Sequence, residues 1–141
     1  MKKIVLNGCF GGFSLSKEGT LAILERKGIG VVKVEEDRYG YFTIHASNGE
    51  EYYSHSFDDI RDDEDLVAVV EELGEKANGS CASLYIDEYD EENFDYYIDE
   101  YDGSENLDLI PVVTEKRLSE CKTTSEIVEY LKSLNIQVKT A

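Results

Sequence analysis

The residues best placed to do chemistry near the start of the chain are Gly8, Phe10, Gly11, Gly12, Phe13 and Ser14, which lie between an apolar run and a helical pattern opened by Ser16. Backbone N–H groups at a helix entrance attract anions. These six residues therefore form a candidate ligand loop, able to hold the phosphates of a small nucleotide while Phe10, Phe13 or a nearby tyrosine stacks on its base. The glycine spacing fits neither G-x-G-x-x-G nor G-x-x-x-x-G-K-[ST], and Lys17 stands one residue into the helix rather than at the P-loop lysine position. A structural turn is the plainer reading. Cys9 sits in the same loop, where a helix N-terminus favours a thiolate, but no base is marked by its spacing as a partner. A Cys9 hydrolase with a distant histidine is the weakest reading, and no catalytic residue is assigned.

His45 and His55 flank an Asn48-Gly49 turn, and two imidazoles on adjacent strands could bind a metal or pass a proton. Counting outward from a two-residue turn pairs Ile44 with Tyr53 and Phe42 with His55, which puts His55 near the core edge and His45 on the opposite face. They do not form a shared site. Asp99, Asp102 and Glu105 only loosely resemble a calcium loop, because D-x-[DN]-x-[DN]-G is absent. Cys9, Cys81 and Cys121 show no C-x-x-C and no zinc-ligand spacing to histidine, so they read as reduced thiols. Neither a metal nor a cofactor is expected.

The most unusual stretch runs from Tyr85 to Asp108. It carries 11 acids and five tyrosines with no Lys or Arg. Like charges facing each other across a sheet cost roughly 0.2–1 kcal/mol per pair, and here nothing in the local sequence offsets them. Tyrosine supplies the rigid amphipathic area common at interfaces. Asp87, Glu88, Tyr89, Asp90, Asp99, Glu100, Tyr101 and Asp102 are thus the candidate contacts for a basic protein, itself of the kind that binds nucleic acid. The alternative is a merely solubilising face.

Charge across the whole chain supports that reading. The net charge of 141 residues is -17, divided as +2 over residues 1–49, -20 over 50–110 and +1 over 111–141. Such a field repels a phosphate backbone, which excludes direct nucleic-acid binding by a basic surface. The apolar run after Lys2 and Lys3 is broken by Asn7 and glycines and lacks a cleavage site. No stretch reaches the roughly 20 apolar residues of a membrane span. A cytoplasmic protein is expected, and self-association is left open.

The elements that must position these groups follow from periodicity. Ile4-Val5-Leu6 reads as a buried strand. Ser16 caps a helix over Lys17 to Lys27 that Gly28 ends, and Ile29 to Glu35 forms a second strand. Tyr41 to Ser47 and Glu50 to Phe57 form a hairpin. Asp62 to Asp65 lie at the N-terminus of a helix whose stripe is Leu66, Val69, Val70, Leu73 and Ala77. Cys81 to Glu88 alternates as a half-buried strand. Tyr85-Ile86-Asp87-Glu88-Tyr89-Asp90 then recurs as Tyr97-Ile98-Asp99-Glu100-Tyr101-Asp102, read as two strands of one sheet with similar surroundings. Asp102-Gly103 turns into Leu107 to Val113, where Pro111 marks an edge or strand end. A last helix begins near Thr124, and Ile136-Gln137-Val138 could add a short strand. The expected fold class is α+β: one domain over residues 1–113, mostly antiparallel sheet with about three helices, and a helical extension over 114–141 packed on it.

Three stretches resemble a family of small, functionally uncharacterised proteins of phages, prophages and mobile elements: Ile4 to Ser16 (IVLNGCFGGFSLS), Arg61 to Ala82 (RDDEDLVAVVEELGEKANGSCA) and Ile98 to Glu105 (IDEYDGSE). The family often has proline where Glu64 stands and another near Asp90, and the chain departs from it beyond about residue 113. The resemblance implies a phage-type accessory protein and no catalytic residues. Small acidic proteins of that kind block host machinery, so the expectation is a non-enzymatic inhibitor or modulator of a host defence protein.

Overall fold

The core is organised around β1 (Lys2–Asn7), in which Ile4, Val5 and Leu6 are all completely buried. Side chains of a strand alternate between faces, so full burial of three in a row requires cover on both sides. A computed structural model, which describes residues 1–136, shows where that cover comes from. Val5 faces the larger core, with α1 (Lys17–Arg26) and α2 (Glu64–Leu73) above it. Ile4 and Leu6 face a smaller cluster with Tyr89, Phe94, Tyr96, Ile98 and Leu107. β5 (Leu84–Tyr89) pairs antiparallel with β1, Val5 opposite Ile86 and Asn7 opposite Leu84.

Both helices start where their sequence dictates, and α1 also stops there. Ser16 caps α1 by accepting the Gly19 N–H, and Gly28 follows at φ 71°. Asp63 caps α2 by accepting from Asp65 and Leu66, and Lys27 at the end of α1 donates to Asp63 and Asp65 at 2.8 and 3.0 Å, tying the two helix ends together. Leu66, Val67, Val69 and Val70 are buried, but α2 ends at Leu73, short of the expected Ala77, because Gly74 takes φ 57°; a separate 3₁₀ turn over Gly74–Ala77 then buries Ala77.

The fold is α+β, with seven strands in antiparallel sheets and four α-helices among the described residues. The strands form three small sheets rather than one large one. β2 (Val31–Glu36), β3 (Phe42–Ala46) and β4 (Glu51–Tyr52) make one, β1 and β5 another, and β6 (Phe94–Tyr101) and β7 (Ser104–Pro111) the third. The two copies of the Tyr-Ile-Asp-Glu-Tyr-Asp hexapeptide therefore sit in different sheets. Ile86 packs on the larger core and Ile98 on the smaller; Tyr89 is 6% exposed and Tyr101 76%.

The β3–β4 hairpin differs from the expected two-residue turn by one position. Ala46 exchanges bonds with Glu50 and Gly49, leaving Ser47-Asn48-Gly49 as a three-residue loop with Gly49 at φ 85°. A slip of one residue swaps the faces of a strand. Tyr52, not Tyr53, stands opposite Ile44 and stacks on Phe57. His55 lies beyond the strand and is exposed, not at the core edge, while His45 stands outward as expected, half-buried between Glu35 and Glu51 at 3.2 and 3.5 Å.

After β7, α3 (Glu115–Glu120) and α4 (Thr124–Ser133) form the C-terminal part. Arg117 lies over the Tyr130 ring, and Tyr130 and Leu134 are buried but belong to neither core cluster. The expected strand Ile136-Gln137-Val138 extends outside the described residues.

Candidate functional site

The three sequence stretches singled out above converge on one buried polar knot. Arg61 and Glu105 form a two-pronged ion pair at 2.6 and 2.8 Å, 8% and 6% exposed. Glu105 also accepts the Asn7 N–H at 2.8 Å, and Arg61 donates to the carbonyls of Val5 and Asp58. Asn7 completes the knot by donating to the Gly103 carbonyl and accepting from Ser83. The Arg61 guanidinium lies 3.8 Å from the centre of the Phe13 ring. Every donor has an acceptor, which is what a buried charge pair requires. Its effect is positional, because it clamps the β6–β7 hairpin against β1.

The clamp holds the hairpin with one face in and one out. Phe94, Tyr96, Ile98 and Leu107 point to the smaller core. On the opposite face β6 presents Asp95, Tyr97, Asp99 and Tyr101, with Ile110, Asp108, Asn106 and Ser104 directly across on β7. Three successive outward rungs thus carry one carboxylate each: Asp95, then Asp108, then Asp99. Rungs two residues apart are separated by about 7 Å, so the row has about half the linear charge density of a single DNA strand, at one charge per 3.4 Å. Tyr97 is 51% exposed, and the charge on Asp108 beside it, with its hydrogen bond, pushes the phenol's pKa above its ordinary value. Among the described residues, the only basic side chains in ion-pair reach of the acids from Asp87 to Asp108 are Lys2, at Glu91, and Arg61, at Glu105. Among the described residues the outward row has no basic partner.

The eight residues expected to contact a partner are not all on this face. Asp99 and Tyr101 are, and Asp102 is exposed at the two-residue turn, where Asp102 and Gly103 both have positive φ. Glu100 is exposed but faces the Glu105 side of the hairpin and accepts the Gly103 N–H. Asp87 and Glu88 are exposed on β5, in a different sheet, with Glu88 opposite Lys3. Tyr89 is buried against Tyr96 and offers no surface, correcting its place in the set. Asp90 holds the β5–β6 turn through Asn93 and Glu92, and the Asn93 hydrogen bond keeps its carboxyl below the usual range. Asp95, Tyr97 and Asp108 were missed; the period-two alternation of Phe94 to Tyr101 was the signal that could have found them.

The glycine-rich loop is largely used by the fold itself. The Gly8 N–H donates to Ser83, the Gly11 N–H to Asp102, and Ser14 Oγ to Ser80. Phe13 is buried beneath Arg61 and has no face open to a base. Phe10 is exposed and leans edge-on to Tyr101, and Gly12 approaches Gly103 so closely that a Cβ on Gly103 would lie 2.4 Å from the Gly12 nitrogen. The loop is a backing for the hairpin turn rather than an open cradle.

Among the described residues no group of three or more His, Cys, Asp or Glu side chains is arranged to hold a metal ion, and no helix is long and apolar enough to cross a membrane. No family model, no curated protein and no solved structure matches the chain.

Proposed function

We propose that this chain is a non-enzymatic, phage-type accessory protein that docks through the outward face of the β6–β7 hairpin onto a basic surface of a host protein, one that normally holds nucleic acid, and thereby inhibits or modulates it. A role against a host defence protein in the cytoplasm fits the sequence resemblance. The observation that carries the docking reading is the row Asp95, Asp108 and Asp99, which has no basic partner among the described residues and is interleaved with exposed Tyr97 and Tyr101. The carboxylates supply steering and charge complementarity, while the tyrosines supply contact area at low entropic cost.

The test uses the immobilised full chain against bacterial lysate, compared with a triple variant Asp95→Asn, Asp99→Asn, Asp108→Asn whose side chains keep their size. Wild type should retain basic proteins at about 50 mM salt, release them by about 200 mM, and lose them to added duplex DNA. The triple variant should retain none of these. Recovery of the same DNA-displaceable proteins by the triple variant would refute the reading.

A further inference from the structure

On the other side of the glycine-rich loop, a cleft of about 880 Å³ opens between the start of α1, the β2–β3 turn, the segment after β4 and the turn before β5. Its size is in the range that holds drug-sized ligands. Of 31 Asp and Glu in the chain, none lines it, although Glu36 and Glu51 bond from outside to its Lys17 and Tyr53, whereas two other depressions are bordered by Asp62, Glu64, Glu71, Glu72 and Glu91 or by Glu100 and Asp102. Its walls instead carry Tyr39, Tyr41 and Tyr53, which are 70%, 74% and 45% exposed, together with Lys17 and His55. Three exposed aromatic rings gathered in one concavity leave apolar faces in water that a planar ligand would cover. Arg38 lies over one face of Tyr39, adding a second cation beside the cleft.

We infer that this cleft binds a nucleotide, its base stacked on the Tyr41 and Tyr53 side and its phosphate met by Lys17, which now pairs with Glu36 at 2.5 Å. The ligand class is the one considered for the glycine-rich loop, but the site is the cleft behind it. Stacking on tyrosine tolerates any base, so the site selects for a phosphate on an aromatic group more than for one base. No bond is made or broken. The site would hold a nucleotide, not convert it.

The chain has no tryptophan, so its near-ultraviolet emission comes from tyrosine and a stacking base quenches it directly. The experiment titrates the full chain with AMP, GMP, CMP and UMP, following tyrosine emission and melting temperature together, with adenosine and inorganic phosphate as separate arms. The inference expects saturable quenching by a nucleotide and a melting temperature that rises as ln(1 + [L]/Kd). Tyr41→Ala, at an exposed position that leaves the fold intact by circular dichroism, should weaken binding roughly 5- to 150-fold. Lys17→Gln should narrow the difference between AMP and adenosine. The Asp95, Asp99, Asp108 triple variant should bind as wild type does. Absence of saturable quenching by all four nucleotides, or unchanged affinity in a Tyr41→Ala, Tyr53→Ala double variant, would overturn the inference. Equal affinity for adenosine and AMP would overturn the phosphate contact.

Discussion

Replacing Glu105 with Ala strips the buried knot of its only anion. The carboxylate accepts two bonds from Arg61 and one from Asn7, so the variant leaves a guanidinium and a backbone N–H facing a void. An uncompensated buried charge costs about 3–5 kcal/mol, and an orphaned buried N–H about 1–3 kcal/mol more. Arg61 keeps its bonds to Val5 and Asp58, which argues for the lower end of both ranges, about 4 kcal/mol in total. That is a large share of the 5–15 kcal/mol by which a domain is stable. Urea unfolding followed by circular dichroism measures it as a lowered midpoint with unchanged slope. The ion pair is out of reach of screening, so the loss should be the same at low and high salt. Arg61→Leu combined with Glu105→Leu removes both charges and should recover part of the loss, falling short of wild type because Asn7, Val5 and Asp58 still lose their partners. A Glu105→Ala cost below about 1 kcal/mol, or a double variant worse than the single, would refute the view that this pair clamps the hairpin.

Two glycines with similar φ should respond differently. Gly103→Ala must place a Cβ 2.4 Å from the Gly12 nitrogen at φ 92°, so it should destabilise by more than about 3 kcal/mol, whereas Gly49→Ala at φ 85° meets open space and should cost about 1–2 kcal/mol, both read from thermal melts. The Asp63 carboxyl titrates below its ordinary 3.8: burial works against the charge, but hydrogen bonds from Lys27 and the N–H groups of Leu66 and Asp65 outweigh it. Its contribution is therefore present above pH 3.8 and lost as pH falls through the lower folded value. Asp63→Asn keeps the cap and loses the charge, so the stability gap from wild type should be level near neutrality and close only below pH 3.8; a gap that closes at higher pH would contradict the assignment.

Local chemistry made three of the four described helices and one turn legible in the sequence, but not α3 (Glu115–Glu120). Ser16 and Gly28 bracket α1, Asp63 caps α2, Asp102-Gly103 turns in two residues and Pro111 ends β7, each through a preference that acts over a few positions. Register was less legible, because Asn48-Gly49 serves a three-residue loop as readily as a two-residue one, and the choice decides whether Tyr52 or Tyr53 faces the core. Tertiary pairing was not legible at all. Identical hexapeptides entered different sheets because their partners differ, β1 for one and β7 for the other. The Arg61–Glu105 pair spans 44 positions that no periodicity connects. The candidate face was legible in composition but not in membership, since burial of Tyr89 and the outward turn of Tyr97 follow from that same pairing.

The captive position of β1 sets a schedule for biosynthesis. Its neighbour β5 begins at Leu84, and the Asn7 N–H finds Glu105 only 98 positions later. At 5–20 residues per second a ribosome needs roughly 5–20 s to traverse that distance. For most of that interval the partners that cover Ile4 and Leu6, on β5, β6 and β7, are still untranslated, so the growing chain carries a sticky segment without its full cover until its last third is made.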